Sequence, residues 1–260
     1  MNNTLIKGLQ LLEALAGRDR PAGVSELAAE LGMGKSNVHR TLQALVETGY
    51  VVRDEARGTY FAALKIWEIG ARVIAQLEVR RAAPPAMQWL LEKSRETVHL
   101  SVLDGEEVVY IDKLDSPEPV RAYSEIGGRA PARCVATGKA MLAWRDPEAS
   151  FAQAATPLIA HTSATLVDRA EMRREMERIR AQGYAVNRGE WRESVWGVAA
   201  PIKDRGGRVL AAIGLSGPSS RIRPARIKAL AATVIDAASR VSAGLASGAR
   251  GGGEAPPVLR

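Results

Sequence analysis

The residues with the most chemical promise stand together at Lys35-Ser36-Asn37-Val38-His39-Arg40. An arginine can bond guanine through two donors at once, and an asparagine can do the same with adenine. Lysine, serine and histidine can reach phosphate oxygens. Such a cluster reads a base edge only if a rigid element presents it, and the flanking sequence supplies one. Residues 25–31 have helical spacing, with Ser25 as the N-cap and Glu26 in the first turn. Gly32-Met33-Gly34 makes a turn. Residues 35–48 then form a longer helix, with Val38, Leu42 and Leu45 on its inward face. After Gly49, residues 50–53 and 59–61 read as two short strands joined by residues 54–58. Helix, turn, helix and β-ribbon is the order of a winged helix-turn-helix, which lays its second helix in the DNA major groove. The candidate DNA contacts are Lys35, Ser36, Asn37, His39 and Arg40, with Arg53 and Arg57 in the ribbon. Ser36 has a second possible role, as a cap of its own helix.

Charge supports this reading by placement and not by total. The 260 residues carry a formal charge of +7, which suits a polyanionic partner. Residues 1–63, however, hold seven basic and seven acidic side chains. The acids Glu26, Glu30 and Glu47 fall on the first helix of the pair or at the far end of the second, away from Lys35 and Arg40. Composition, at 46% hydrophobic and 25% charged, is that of a globular protein. No uninterrupted apolar run reaches the roughly 18 residues of a membrane span, and the first residues lack a signal-peptide layout. The single cysteine, Cys134, excludes an intramolecular disulfide framework and a multi-cysteine zinc site. His39, His99 and His161 show no metal-ligand spacing. The expectation is a cytoplasmic protein with no membrane partner and no cofactor.

Further elements position the pair of helices. Leu5, Leu9, Leu12 and Leu15 recur at helical spacing over residues 4–16 and predict a helix that covers the helix-turn-helix core. Residues 64–81 predict a linker helix, broken by Pro84-Pro85. Beyond it the pattern is α+β: a helix at 86–95, strands at 97–103, 107–113 and 120–124, a short helix at 137–144, and a charged helix at 168–182. Strands at 195–202 and 209–216 and a long helix at 224–245 follow. Asp104-Gly105 is a hairpin signal. The expected division is 1–63 for DNA binding, 64–82 as linker helix, 83–246 as a second domain, and 247–260 as a Gly/Pro-rich tail expected to be disordered.

Three segments resemble the IclR family of bacterial transcription regulators. Residues 35–42 are similar to the family's Ser-Thr-x-x-Arg-x-Leu recognition helix, with Asn37 in place of Thr. Gly128-Arg129-Ala130-Pro131 and Ala136-Thr137-Gly138-Lys139-Ala140-Met141-Leu142-Ala143 resemble its Pro…Gly-Lys-Ala-x-Leu-Ala motif. Gly183-Tyr184, Gly197–Ile202 and Ile213–Pro218 resemble its closing signature. The resemblance covers about residues 4 to 245. It implies a GAF-like effector-binding domain, a homodimer or dimer of dimers on a palindromic operator, and a small-molecule carboxylate effector.

Carried onto this chain, the resemblance places the effector against Ala122, Ala130, Ala136, Thr137, Asn187, Val195, Gly197, Gly214 and Ser216. Ala136 and Thr137 begin a helix, whose first N–H groups are free to bind an anion; Thr137 has an alternative role as N-cap. The chain departs from the family where Asn187 replaces an Asp, Gly197 a Cys and Gly214 a Ser. Two side chains reduced to hydrogen predict an enlarged pocket for an aromatic or longer carboxylate. Trp191, Trp196, Tyr123, Arg129 and Arg133 are candidates for its wall and cation. Two other readings stand beside this one. The second domain serves only to oligomerise, or Cys134 or Ser216 acts as an enzyme nucleophile with His99 or His161 as base.

Overall fold

A computed structural model of the chain describes residues 3–146 and 158–248. It divides into one compact unit ending at Ala75 and a second beginning at Gln76.

The first unit runs α1 (Asn3–Ala16), β1 (Ala22–Gly23), α2 (Val24–Glu30), α3 (Lys35–Glu47), β2 (Val51–Asp54), β3 (Thr59–Ala62) and α4 (Leu64–Ala75). β3 lies between β1 and β2, antiparallel to both. Leu11, Leu15, Leu27, Val38, Leu42, Val51 and Tyr60 form its core. Val38 and Leu42 are fully buried, and Leu45 packs at the edge. Truncating a leucine such as Leu42 to alanine would cost about 2–5 kcal/mol.

Two local expectations need correction. α1 does cover the core, but through Leu11 and Leu15; Leu5 and Leu9 of the expected stripe are 60% and 51% exposed. Thr41 of α3 faces Gly8, where a Cβ would lie 3.7 Å from its methyl group, so the buried face of α1 runs Gly8, Leu11, Leu15. Ser25 is no cap: α2 starts one residue earlier, with Gly23 in the N-cap position and no side-chain cap bond.

The expected linker helix is also broken. α4 ends at Ala75, and a separate α5 (Glu78–Ala82) follows Leu77, whose ψ is 104°. The break has no Gly or Pro signal. It follows from docking: Val79 is buried, and Arg80 donates to the Ile111 carbonyl at 3.1 Å and pairs with Asp112 at 3.7 Å. The two prolines start the next helix, α6 (Pro84–Ser94), where missing N–H groups cost nothing.

The second unit is built on an antiparallel sheet with strand order β6-β5-β4-β9-β8-β7. Its strands are β4 (Thr97–Asp104), β5 (Glu107–Leu114), β6 (Arg129–Pro131), β7 (Ala185–Arg188), β8 (Val195–Lys203) and β9 (Val209–Pro218). Residues 120–124 are not a strand. β5 pairs with β6 on that edge, Val109 opposite Arg129, and 115–128 cross as an irregular strap. α7 (Ala136–Leu142) packs against β8, β9, β7 and β4, and α8 (Arg169–Gln182) packs on α7. α6 and α9 (Pro224–Gly248) pack on each other and against the sheet. α8 starts one residue later than expected, with Asp168 as its N-cap, accepting from the Glu171 N–H at 2.8 Å. α9 is long and apolar enough on average to cross a membrane, but its Leu230, Val234, Ala237 and Val241 are buried in the core. The expected tail lies outside the described residues from 249 onward.

Candidate functional site

The turn between α2 and α3 holds two glycines, of which Gly32 is the one its backbone requires. Gly32 adopts φ 62°, a left-handed conformation that a side chain would strain. Met33 N–H bonds the Ala28 carbonyl at 2.9 Å, and Gly34 then takes the N-cap position of α3. No side chain caps α3, so Ser36 is not its cap. The burial of Val38 and Leu42 turns Lys35, Ser36, His39 and Arg40 outward, with Asn37 half-buried beside them. Lys35, Asn37, His39 and Arg40 have no side-chain hydrogen bond or ion pair within the described residues.

The acids of α2 are neutralised behind this face. Arg18 bonds Glu26 at 2.6 Å and also Glu30, and Arg20 bonds Glu26 at 2.6 Å. Those hydrogen bonds hold the Glu26 carboxyl below its ordinary range. Residues 1–63, neutral in total, thus keep Lys35 and Arg40 unpaired on one helix. The ribbon arginines are less free: Arg53 meets Glu55 at 3.3 Å and Arg57 meets Asp54 at 3.9 Å. Exposed pairs of this kind contribute about 0–1 kcal/mol, which a phosphate can replace.

The second unit holds a cavity of about 180 Å³ between the sheet, α7 and the strap 115–128. Ala122, Ala130, Ala136, Thr137, Asn187, Val195, Gly197 and Ser216 line it, as do Tyr123, Arg129 and Trp191. Strand alternation brings them there. Asn187 stands opposite Gly197 and Gly197 opposite Ser216, in one row across β7, β8 and β9. A Cβ on Gly197 would lie 2.9 Å from the Leu215 carbonyl and 3.6 Å from the Ala136 methyl, so glycine lets the start of α7 approach the sheet.

Gly214 does not line the cavity. Its Cβ would lie 2.6 Å from the Ala199 methyl and 2.8 Å from the Val198 carbonyl. It is a close-packing glycine, and the expected gain of volume there is withdrawn. Trp196 and Arg133 also fall outside the lining; Arg133 instead donates to the Ile159 carbonyl at 2.5 Å. Arg129 lines the cavity but is held by Asp104 at 2.5 Å and Glu107 at 3.2 Å.

The polar groups mostly donate. Asn187 Oδ1 accepts from the Glu190 N–H at 2.9 Å, which turns the amide nitrogen toward the Val195 carbonyl and the cavity. α7 is preceded by Val135 with no side-chain cap, so Thr137 does not cap it and its hydroxyl borders the cavity. Arg192 also lines the cavity and donates to the Tyr123 carbonyl at 3.4 Å.

Sequence reasoning overlooked His99, Tyr110, Ser124 and Arg192 as lining residues. His99 Nε2 lies 2.6 Å from Ser216 Oγ, and Nδ1 lies 3.3 Å from Ser124 Oγ. Burial and the neighbouring Lys113 pull the imidazole down to about 4, so it is neutral at pH 7. The Ser216–His99 pair looks like a nucleophile and its base. The group on Nδ1 is a hydroxyl and not a carboxylate, and a ring at about 4 is a weak base near neutrality. Cys134 is fully buried, with its thiol pushed up to about 11, and does not line the cavity.

Lys139, the motif lysine, has no exposure at all. It bonds Glu175 at 3.1 Å and Glu190 at 2.7 Å. Burial holds the ammonium below its ordinary range, against the opposing pull of Glu190. It ties α7 to α8 and to the loop that carries Trp191. Among the described residues no cluster of three or more His, Cys, Asp or Glu could hold a metal ion.

Residues 4–55 match the IclR helix-turn-helix domain, and residues 71–243 match the bacterial transcriptional regulator IclR C-terminal domain. The chain belongs to the IclR family. It is 34% identical over 242 residues to the HTH-type transcriptional regulator KdgR of Escherichia coli (strain K12), covering 93% of this chain and 92% of that one. It is 31% identical over 242 residues to the HTH-type transcriptional repressor AllR of the same organism, covering 93% and 89%. The Thermotoga maritima IclR structure superposes with a TM-score of 0.79 at 28% identity, covering 94% of this chain and 99% of that one. An IclR homolog from Microbacterium hydrocarbonoxydans, complexed with 4-hydroxybenzoate, has the same fold, with a TM-score of 0.82 at 23% identity over 94% and 100% of the chains. As an IclR-family member this chain is a DNA-binding transcriptional regulator, with a helix-turn-helix unit and an α+β unit.

Proposed function

We propose that the cavity holds a small carboxylate and that its occupancy controls operator binding. The observation that carries this reading is the concentration of donors on one wall. The uncapped start of α7, the Thr137 hydroxyl, the Asn187 amide and Ser216 border a single space. Free N–H groups at a helix start favour an anion. A cavity of about 180 Å³ is also larger than the roughly 150 Å³ that accepts a benzene ring. An aromatic carboxylate is therefore within its capacity, and the 4-hydroxybenzoate complex of the Microbacterium hydrocarbonoxydans homolog supports that size class.

In this reading Lys35, Ser36, Asn37, His39 and Arg40 contact the operator, with Arg53 and Arg57 on flanking phosphates. α1 and α4 supply the contact with a second copy in the cytoplasm: Leu5, Leu9, Leu64, Trp67 and Val73 are between 51% and 78% exposed, and exposed apolar groups of this kind mark an interaction surface when they cluster. A dimer then reads a palindrome whose half-sites lie about one helical turn, or a multiple of it, apart. A gel shift on the DNA upstream of the chain's own gene, with a panel of aliphatic and aromatic acids, tests the proposal. A shift altered by one class of acid and untouched by the matching amides supports it. A shift indifferent to every acid would leave the second unit with oligomerisation alone.

A further inference from the structure

His99 is the cavity group with the least freedom. Its two ring nitrogens face two serine hydroxyls, Ser216 at 2.6 Å and Ser124 at 3.3 Å, and all three residues line the same space. A neutral imidazole donates from one nitrogen and accepts at the other. One serine therefore spends its proton on the ring and shows only lone pairs to the cavity. The other accepts from the ring and keeps its proton for the ligand. The tautomer is set by the surrounding network.

Two surroundings decide the direction. Ser216 stands on the row with Gly197 and Asn187, beneath the uncapped start of α7, where an anion is favoured. Ser124 stands next to Glu125, which also lines the cavity and whose carboxylate accepts from the Tyr123 hydroxyl. That acid repels an anion and welcomes a donor.

We propose that His99 is the specificity-determining residue of the cavity, fixing Ser216 as a donor and Ser124 as an acceptor, so that the ligand is a carboxylate that also carries a hydroxyl donor. This rests on the carboxylate-site reading above and narrows it from any small acid to a hydroxy acid. The carboxylate meets Ser216, Asn187 and Thr137. The hydroxyl donates to Ser124. A carboxylate without the hydroxyl leaves the Ser124 lone pairs unmatched by the ligand, and its methyl ether does the same with added bulk.

Calorimetric titration of the full chain tests it with two probe series. One is benzoate, its 2-, 3- and 4-hydroxy isomers and their methoxy ethers. The other is butyrate, its hydroxy isomers and their methoxy ethers. In the series that binds, the best hydroxy isomer is expected to bind at least about tenfold tighter than both the parent acid and its ether. Ser124→Ala is expected to erase that preference while leaving the parent acid unchanged. Ser216→Ala is expected to weaken all members of the series alike, and His99→Phe to erase the preference in a chain that still binds DNA. Parent, hydroxy acid and ether of equal affinity would overturn the inference and leave the carboxylate site standing. A preference for the hydroxyl that survives Ser124→Ala would overturn it too. Failure of both series to bind would overturn the carboxylate site itself.

Discussion

Replacing Lys139 by methionine removes the ammonium that two buried carboxylates share. The side chain of Lys139 is 0% exposed, and those of Glu175 and Glu190 are 5% and 8% exposed. Glu175 keeps a second partner in Arg178, but among the described residues Glu190 bonds no cation besides Lys139. Methionine fills the lysine's volume, so the cost is electrostatic. Breaking a buried pair from one side costs about 3–5 kcal/mol, because the remaining charge stays desolvated. Changing Glu190 to glutamine in the same chain removes that charge. The double variant is therefore expected to be more stable than the sum of the single losses, with a coupling of about 1–3 kcal/mol. Urea unfolding followed by tryptophan fluorescence is the assay, since Trp89, Trp144, Trp191 and Trp196 all lie in the second unit. A loss below about 1 kcal/mol for Lys139→Met, or equal losses with and without Glu190, would refute the reasoning.

The remaining predictions concern the helix face, the imidazole and one glycine. Arg40→Ala is expected to cost about 1–3 kcal/mol on the operator and little on unrelated DNA, whereas Lys35→Ala should weaken both and lower the salt slope by about 0.9, measured by fluorescence anisotropy. His99 sits at about 4 in the folded chain against 6.5 when unfolded. Below pH 6.5 the unfolded state takes up a proton that the folded state refuses. Full stability is therefore kept above about pH 6.5, and on the order of 3 kcal/mol is lost as pH falls to about 4. The acid limb of a stability–pH curve should flatten in His99→Gln if that is right. A Cβ on Gly138 would fall well inside contact with the Ala132 carbonyl, so Gly138→Ala is expected to lower the melting temperature by several degrees, while Gly34→Ala, with open space around it, should change it by little.

Periodicity and glycine placement made much of this legible. Val38, Leu42 and Leu45 identify the inward face of α3, and their spacing alone turns Lys35, His39 and Arg40 outward. Ala136, Thr137, Asn187 and Ser216 could be named as cavity residues because the family motifs carry them. What stayed hidden was set by tertiary contact. His99 lies in a strand buried on both faces, where no alternation marks a polar position. Residues 120–124 have strand-like side chains, but the strand that pairs with β5 is β6, at Arg129–Pro131. The interruption after Ala75 goes with the burial of Val79 and the bond from Arg80 to β5, and leaves no mark in composition. Gly197 and Gly214 look alike in sequence; only neighbouring atoms show that one borders the cavity and the other separates two packed strands.

The central claim is that cavity and operator are coupled, and coupling is reciprocal. The most direct measurement is calorimetric titration of the acid found by the gel shift into the free chain and into the chain saturated with operator. The account predicts two different dissociation constants, whose ratio equals the factor by which that acid changes operator affinity. Equal constants in the two titrations would contradict it.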